Sequence, residues 1–332
     1  MPRVSVLVPS FRHAGFLDTC LDSIASQTYT DWEAIIVEDC SNDGSLEIAN
    51  GWAVRDPRFR VFENETNLGA YPTLARAAEL AEGEYLAILN SDDVWMPAKL
   101  GAQVSLLDIR PEVAACATLG WGCTEDGTPN EKTDWHADWP VGDLPVAPWL
   151  LYENRILASS AVFRRGAYHP YCELRYSGDW SALLAASTRG TLHVLEDRAV
   201  LWRQHGQNSY TVSPQQVSEE VAWRRLLPRI ATEFGLKGEQ VRRGLGRNAM
   251  NLFALELLVH RPAAAARMLP AMLATPERPK GLKRWLSLGL GPRRARERLW
   301  RGQPAALSMD GTAVETRLDP SEWLAVLTSE SG

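Results

Sequence analysis

Two adjacent carboxylates, Asp92 and Asp93, follow the apolar run Tyr85-Leu86-Ala87-Ile88-Leu89 and the polar pair Asn90-Ser91. Neighbouring carboxylates at a strand end repel each other and are costly to desolvate, so a divalent cation is their natural partner. Oxygen ligands favour Mg2+ or Mn2+, either of which would bridge the pair to a diphosphate. The competing reading is a solvated loop ahead of a helix in which Pro97 takes a first-turn place. A second acidic site, Glu38-Asp39, is followed by Cys40-Ser41-Asn42-Asp43-Gly44. A carboxylate there can accept a hydrogen bond from a base or a ribose; Asp39 and Asp43 can equally shape a turn or cap a helix starting near Ser45. A third, Asp179 in Tyr176-Ser177-Gly178-Asp179-Trp180, opens a helix, where a lone aspartate is most often an N-cap.

Chemistry shared among these three sites requires a frame that gathers distant segments at one edge. Up to about residue 119, short β-branched runs alternate with helical patterns, the signature of repeated βαβ units and a mainly parallel sheet. Strands are expected at Val4 to Val8, Trp32 to Val37, Phe59 to Phe62 and Tyr85 to Leu89. Leu17, Leu21, Ile24 and Thr28 recur at helical spacing after the first, and a helix through Leu68 to Ala81, stopped by Gly83, precedes the fourth. Glu38-Asp39 and Asp92-Asp93 then lie just beyond carboxyl ends of strands, where an open α/β sheet places its ligands. Between about Gly120 and Pro148 the periodicity fails, and glycines, prolines and acidic residues surround Trp121, Trp135, Trp139 and Trp149, which reads as a long functional loop. Strand-like segments return at Ser160 to Phe163, Leu192 to Leu195 and Val200 to Arg203, around a short helix after Gly178. From about Pro214 the chain is mostly helical, with Leu252, Leu255, Glu256 and Val259 on one face. A boundary near residue 212 divides a sheet-bearing domain, 1–212, from a helical region, 213–332; within the former, the βαβ half, 1–119, is distinct from the half that follows, 120–212.

Bulk properties narrow the classes. The chain has 332 residues, 45% hydrophobic and 23% charged, enough for one large core or two modest ones. A formal net charge of -6 argues against nucleic acid as a partner, because neutralising phosphates takes a basic face. Five cysteines, odd in number and without a Cys-x-x-Cys pair, suggest neither a disulfide framework nor a zinc site and fit a reducing compartment. The start, Met1-Pro2-Arg3, lacks the features of a signal peptide, and no apolar stretch approaches the roughly 18 residues that span a bilayer. A cytoplasmic location is therefore expected, at most at the inner face of a membrane.

The ordered set Val4-Ser5-Val6-Leu7-Val8-Pro9-Ser10-Phe11, Ser26-Gln27-Thr28-Tyr29, Val37-Glu38-Asp39-Cys40-Ser41, Ala81-Glu82-Gly83-Glu84-Tyr85 and Asn90-Ser91-Asp92-Asp93 resembles family 2 glycosyltransferases of the GT-A fold. The nonprocessive bacterial enzymes, including the spore-coat type, are particularly similar, over about two-thirds of the chain. The resemblance implies an α/β fold with a helical C-terminal region and a nucleotide-sugar donor. It places Pro9 and Phe11 along the base, Asp39 on a uracil ring, Asp92 and Asp93 on the ribose and the metal-diphosphate with Asp93 as direct metal ligand, and Asp179 as general base. His205, in Trp202-Arg203-Gln204-His205-Gly206-Gln207-Asn208-Ser209, resembles a late motif near the diphosphate and is the second metal candidate. Glu38 stands where an aspartate is usual, Asn90 likewise, and Arg76 is the nearest match to a basic residue directed at the nucleotide. The Gln-x-x-Arg-Trp pattern of processive synthases is absent, which implies one sugar added per encounter.

The implied reaction is a single in-line displacement with inversion: an Mn2+ or Mg2+ ion stabilises the departing diphosphate, and Asp179 takes the proton of the acceptor hydroxyl. Acceptor recognition falls to the tryptophan-bearing loop, with Trp121, Trp135, Trp139 and Trp180 as candidates, since aromatic faces pack against the C–H face of a sugar; core filling is the competing role. From Arg278 to Arg301, basic residues interleave with Leu282, Trp285, Leu286, Leu288, Leu290, Leu299 and Trp300, as in segments that lie on anionic lipid, where a lipid-linked saccharide would be met. A helical pair with solvated charges is the alternative. Dimerisation to a homodimer, membrane contact and acceptor binding are all open roles for the helical region. A sugar nucleotidyltransferase would carry a glycine-rich basic loop where Pro9-Ser10-Phe11-Arg12-His13 stands. A noncatalytic sugar- or nucleotide-binding protein on the same fold is the other alternative, and the four aspartates together argue against it.

Overall fold

The computed structural model describes residues 1–130, 140–144, 149–170, 174, 178–205, 214–258 and 262–268. The chain divides into two compact units, Met1–Pro145 with Arg155–Asn208, and Val146–Asn154 with Ser209–Gly332.

In the first unit, β1 (Val4–Ser10), α1 (Ala14–Ala25), β2 (Trp32–Glu38), α2 (Ser45–Arg55), β3 (Phe59–Glu63), α3 (Ala70–Leu80) and β4 (Tyr85–Ile88) alternate. The four strands are parallel in the order β3-β2-β1-β4, with Val4 beside Trp32 on one side and Tyr85 on the other. Every residue of β1 and β2 is buried, as expected of parallel strands covered on both faces. Helix α1 packs through Leu17, Cys20, Leu21 and Ile24, a three-four spacing that gives one apolar stripe. Because the strands run the same way, the loops after β1, β2, β3 and β4 all emerge at one edge.

Beyond β4 the sheet becomes mixed. It adds β5 (Val94–Trp95), α4 (Lys99–Ile109), β6 (Val113–Cys123), β7 (Pro129–Asn130), β8 (Gly142–Leu144), β9 (Val162–Arg164), α5 (Gly178–Ala186) and β10 (Thr191–Arg203). Strand β9 runs antiparallel between β4 and β6, β10 is parallel to β6, and β5 closes antiparallel on β10. Gln27 explains part of the Ser26-Gln27-Thr28-Tyr29 motif: its amide donates to the carbonyls of Ser23 and Met96 and accepts from the Leu100 N–H, tying α1 to the start of α4.

Three sequence expectations change. Strand β6 continues through Cys123, so Trp121 is a strand residue and not part of a loop. Gly120 had suggested a break, but a Cβ there would come within 2.9 Å of Leu157 and of the Val200 carbonyl, so the glycine serves close packing. The segments 192–195 and 200–203 are one strand whose register against β6 shifts around Leu195, Arg198 and Val200. Pro97 lies ahead of α4, which starts at Lys99, and its carbonyl accepts the Thr28 N–H at 2.9 Å.

The second unit contains Tyr152 with α6 (Pro214–Glu233), α7 (Glu239–Leu258) and α8 (Pro262–Arg267). Buried Arg224 donates to the Tyr152 carbonyl and to Asn248 Oδ1, and Asn248 donates back to the Arg224 carbonyl. Leu227, Leu245 and Leu252 fill its interior, and fully buried Glu256 pairs with Arg225. No helix among the described residues is long and apolar enough to cross a membrane. Trp135, Trp139, Val259 and the basic segment 278–301 lie outside the described residues.

Candidate active site

The site forms where the loops after β1, β2 and β4 meet the end of β10. Asp39, buried at the end of β2, accepts hydrogen bonds from Asn64 Nδ2 at 2.7 Å and from the Leu68 and Gly69 N–H groups, each at 2.8 Å. A carboxylate has about four acceptor positions, so one remains for a ligand. Arg76 does not point into open space: it donates to the Glu63 carbonyl and to Asn64 Oδ1, and so holds the amide that holds Asp39. Glu38, also buried, is occupied by the Ser41 N–H and hydroxyl and shapes the turn after β2. The Ser41 hydroxyl in turn accepts the Arg12 N–H at 2.9 Å, linking the β1 and β2 loops. Both loops carry a left-handed non-glycine residue, Arg12 at φ 55° and Cys40 at φ 64°, strain of a kind that collects at ligand clamps. Pro9 is buried within β1, and Phe11 is half-buried beneath the Arg12 guanidinium, 5.0 Å from its ring centroid.

Asp92 meets two histidines. Its Oδ2 is 3.1 Å from His205 Nε2, and the ligating atoms of His13, Asp92 and His205 all lie within 4.8 Å of one another. His13 Nδ1 is 2.8 Å from the Ser91 hydroxyl, the type of outer contact that orients a ligating imidazole. Phe16 stacks at 4.6 Å on His205 and 5.9 Å from His13, fixing both rings. Burial lowers the His13 pKa below the usual histidine value, more than Asp92 raises it, which favours the neutral imidazole, the form that ligates metals. Burial raises the Asp92 pKa, but the His205 hydrogen bond and the two nearby imidazoles outweigh it, and the net direction is down. A carboxylate and two imidazoles fit one divalent transition metal.

Asp93, expected from the sequence to be the direct metal ligand, is placed differently. It is buried, with Oδ2 accepting from the Ser159 hydroxyl at 2.5 Å and Oδ1 from the Arg203 N–H at 3.1 Å. Burial, and then the charge of Asp92, push its pKa well above the carboxylate range. Arg203 also donates from Nε to the Asp92 carbonyl at 2.8 Å and from Nη1 to the Glu125 carbonyl. Asp93 therefore clamps the end of β10 to the β4–β5 loop, and that clamp brings His205, two residues beyond Arg203, to Asp92. Among the described residues the metal-type cluster contains Asp92 and His205 but not Asp93.

Asp179 stands in the first turn of α5, half-buried, with Oδ1 accepting the Trp180 N–H at 2.7 Å. Trp180 itself is 6% exposed and packs in the interior, so its place is that of a core residue and not a sugar platform. Trp121 is half-buried with the Arg198 guanidinium 4.1 Å from its ring centroid. Sequence reasoning did not single out His13, Phe16, Asn64, Ser159 or Arg203. His13 stood in view beside Pro9 and Phe11 but lacks any spacing relation to Asp92, and the others act through tertiary contacts.

The fold is that of the GT-A nucleotide-sugar transferases. It resembles the crystal structure of S. aureus TarS 1–349 in complex with UDP-GlcNAc, at a TM-score of 0.56 and 21% identity, covering 82% of this chain and 90% of that one. It also resembles the mannosyltransferase PcManGT from Pyrobaculum calidifontis in complex with GDP-Man and Mn2+, at a TM-score of 0.51 and 18% identity, covering 90% of this chain and 83% of that one. The sequence profile of Glycosyl transferase family 2 matches residues 5–166. The PGL/p-HBAD biosynthesis glycosyltransferase of Mycobacterium bovis (strain BCG / Pasteur 1173P2) is 36% identical over 184 residues, 54% of this chain and 67% of that protein. TuaG of Bacillus subtilis (strain 168), named as a teichuronic acid biosynthesis glycosyltransferase, is 37% identical over 134 residues, 40% of this chain and 52% of that protein, so the match spans about half its length. The chain belongs to glycosyl transferase family 2.

Proposed function

We propose that this protein is an inverting, metal-dependent glycosyltransferase that moves one sugar from a nucleoside-diphosphate donor to a hydroxyl acceptor in bacterial surface polysaccharide or glycolipid assembly. The observation that carries the reading is the convergence of His13, Asp92 and His205 at the strand edge that also presents Asp39. The two imidazoles favour Mn2+ over Mg2+, whose preferred ligands are oxygens. When bound, the ion would supply Lewis-acid stabilisation of the departing diphosphate. Asp39 offers its remaining acceptor position to a ring N–H, which suits uracil and equally thymine; the UDP-GlcNAc and GDP-Man complexes of the two structural neighbours support a nucleotide-sugar donor. Asp179 receives the proton of the attacking hydroxyl, and a single displacement assisted by one base inverts the anomeric centre.

The bacterial relatives named for teichuronic acid and PGL/p-HBAD biosynthesis support a saccharide or lipid-linked acceptor, and contact of 278–301 with anionic lipid belongs to the same reading. The test is thermal stability of the full chain with UDP, TDP, GDP, CDP and ADP, each with and without Mn2+. Stabilisation by one nucleotide, present with Mn2+ and lost in Asp92→Ala, is the expected result. If no nucleotide stabilises the protein at millimolar concentration, a noncatalytic role on the same fold takes its place.

A further inference from the structure

Gly178, immediately before Asp179, has no conformational reason to be glycine, since its backbone is not left-handed. It has a steric one. A Cβ built there would lie 2.2 Å from Cγ of Tyr71 and 2.4 and 2.6 Å from its two Cδ atoms, so the Tyr71 ring rests flat against the start of α5. Tyr71 is the second residue of α3, and the N–H two residues before it, at Gly69, is one of the donors bound by Asp39. The path from Asp39 to Asp179 is thus short and made of packed contacts: carboxylate to the Gly69 N–H, one helical step to the Tyr71 ring, ring to the Gly178 backbone. Thr73, two residues further on, accepts from the same Asn64 amide that donates to Asp39, which secures the start of α3 a second time.

We propose that Tyr71 and Gly178 are positioning residues for Asp179, setting the base helix against the donor-binding loop through a ring-on-glycine contact that admits no side chain. The inference rests on the role proposed for Asp179, but its geometry can be tested without it. Carbon atoms in contact sit about 3.5–4.0 Å apart, so a methyl at 178 forces a shift of more than about 1 Å between α5 and Tyr71. A misplacement of about 1 Å at a reacting group costs on the order of a hundredfold in turnover.

The experiment compares wild type, Gly178→Ala, Tyr71→Ala and the double variant in the full chain. Alanine ordinarily stabilises a helical position relative to glycine. Here Gly178→Ala is expected to lower the unfolding midpoint, and the same substitution in the Tyr71→Ala background to leave it unchanged or raise it. Release of UDP from UDP-GlcNAc, or of GDP from GDP-mannose, is then measured with Mn2+. Gly178→Ala is expected to lower kcat about a hundredfold with donor KM within about twofold, and the double variant to recover at least about tenfold, because the clash and not the loss of glycine is the fault. Active wild type with a Gly178→Ala variant of equal kcat and higher midpoint overturns the inference. Wild type that releases neither nucleotide rules out these two donors, and the sign of the midpoint shift then decides the inference: a higher midpoint in Gly178→Ala than in wild type overturns it.

Discussion

Replacing Asp39 with alanine separates a binding carboxylate from one that also holds the fold. Its three donors are Asn64 Nδ2 and the N–H groups of Leu68 and Gly69. The Asn64 amide also donates to Thr73 Oγ1, at 3.0 Å, and has a second partner; the two backbone groups have Asp39 as acceptor. Leu68 is exposed and its N–H can turn to water, whereas the buried Gly69 N–H would be left unsatisfied, at a cost of about 1–3 kcal/mol. For a unit of roughly 200 residues each kcal/mol moves the midpoint by about 2–4 °C, which gives a fall of about 2–12 °C in Asp39→Ala. Asp39→Asn keeps one acceptor oxygen and should fall by about half as much. The assay is thermal unfolding followed by circular dichroism without nucleotide or metal, so no ligand effect contributes. If Asp39 serves only a nucleobase, both variants unfold with wild type; an Asp39→Ala midpoint within about 1 °C of wild type would show that the carboxylate does not hold the fold.

Further expectations concern a buried cation and the clamp. Lys99 is fully buried, donates to Gln103 Oε1 at 2.7 Å and lies 4.0 Å from the Trp95 ring centroid, and burial lowers its pKa from 10.5 to about 7. Between about pH 7 and 10.5 the unfolded chain binds a proton at this site that the folded chain does not, so its contribution to stability rises with pH across that window; the slope of stability against pH, from urea titrations, should be larger in wild type than in Lys99→Met by up to about 1.4 kcal/mol per pH unit. Equal slopes would mean that Lys99 keeps its proton. Arg203→Lys retains a charge but cannot reproduce the bonds to the Asp92 and Glu125 carbonyls, and Mn2+ affinity by calorimetry should weaken about ten- to a hundredfold. Wild-type affinity would show that the clamp does not set the metal site. With Mg2+ in place of Mn2+, nucleotide stabilisation should weaken in wild type, and equal stabilisation would exclude a ligand set containing two imidazoles.

Much of the frame was legible because it depends on local pattern. Val4–Ser10 and Trp32–Glu38 are near-continuous apolar runs, as buried parallel strands must be, and the turn-rich stretches after them fixed which edge would hold the carboxylates. The middle of the chain is harder, since Gly120 in β6 resembles punctuation and is instead a close-packing position. The sequence presents Asp39, Asp92, Asp93 and Asp179 as a set, with His205 as a further candidate, but two adjacent aspartates look alike in sequence. Their difference comes from Ser159 and the Arg203 N–H, 66 and 110 residues from Asp93, which occupy one carboxylate and leave the other to the histidines. Arg76 is the nearest sequence match to a basic residue directed at the nucleotide, whereas its partners, Asn64 and the Glu63 carbonyl, make it a support for Asp39. Trp180, a candidate sugar platform by residue type, is buried by a helix whose burial no short window could show.

Mn2+ binding by Asp92→Asn and Asp93→Asn probes the division of labour between the two carboxylates. Asparagine at 93 can still accept from the Arg203 N–H and contact the Ser159 hydroxyl, so both variants should fold. Titration followed by the electron paramagnetic resonance of free Mn2+ should show affinity reduced about a hundredfold or more in Asp92→Asn, which loses a ligand, and by at most about tenfold in Asp93→Asn. Loss of binding in Asp93→Asn with near wild-type affinity in Asp92→Asn would contradict the account.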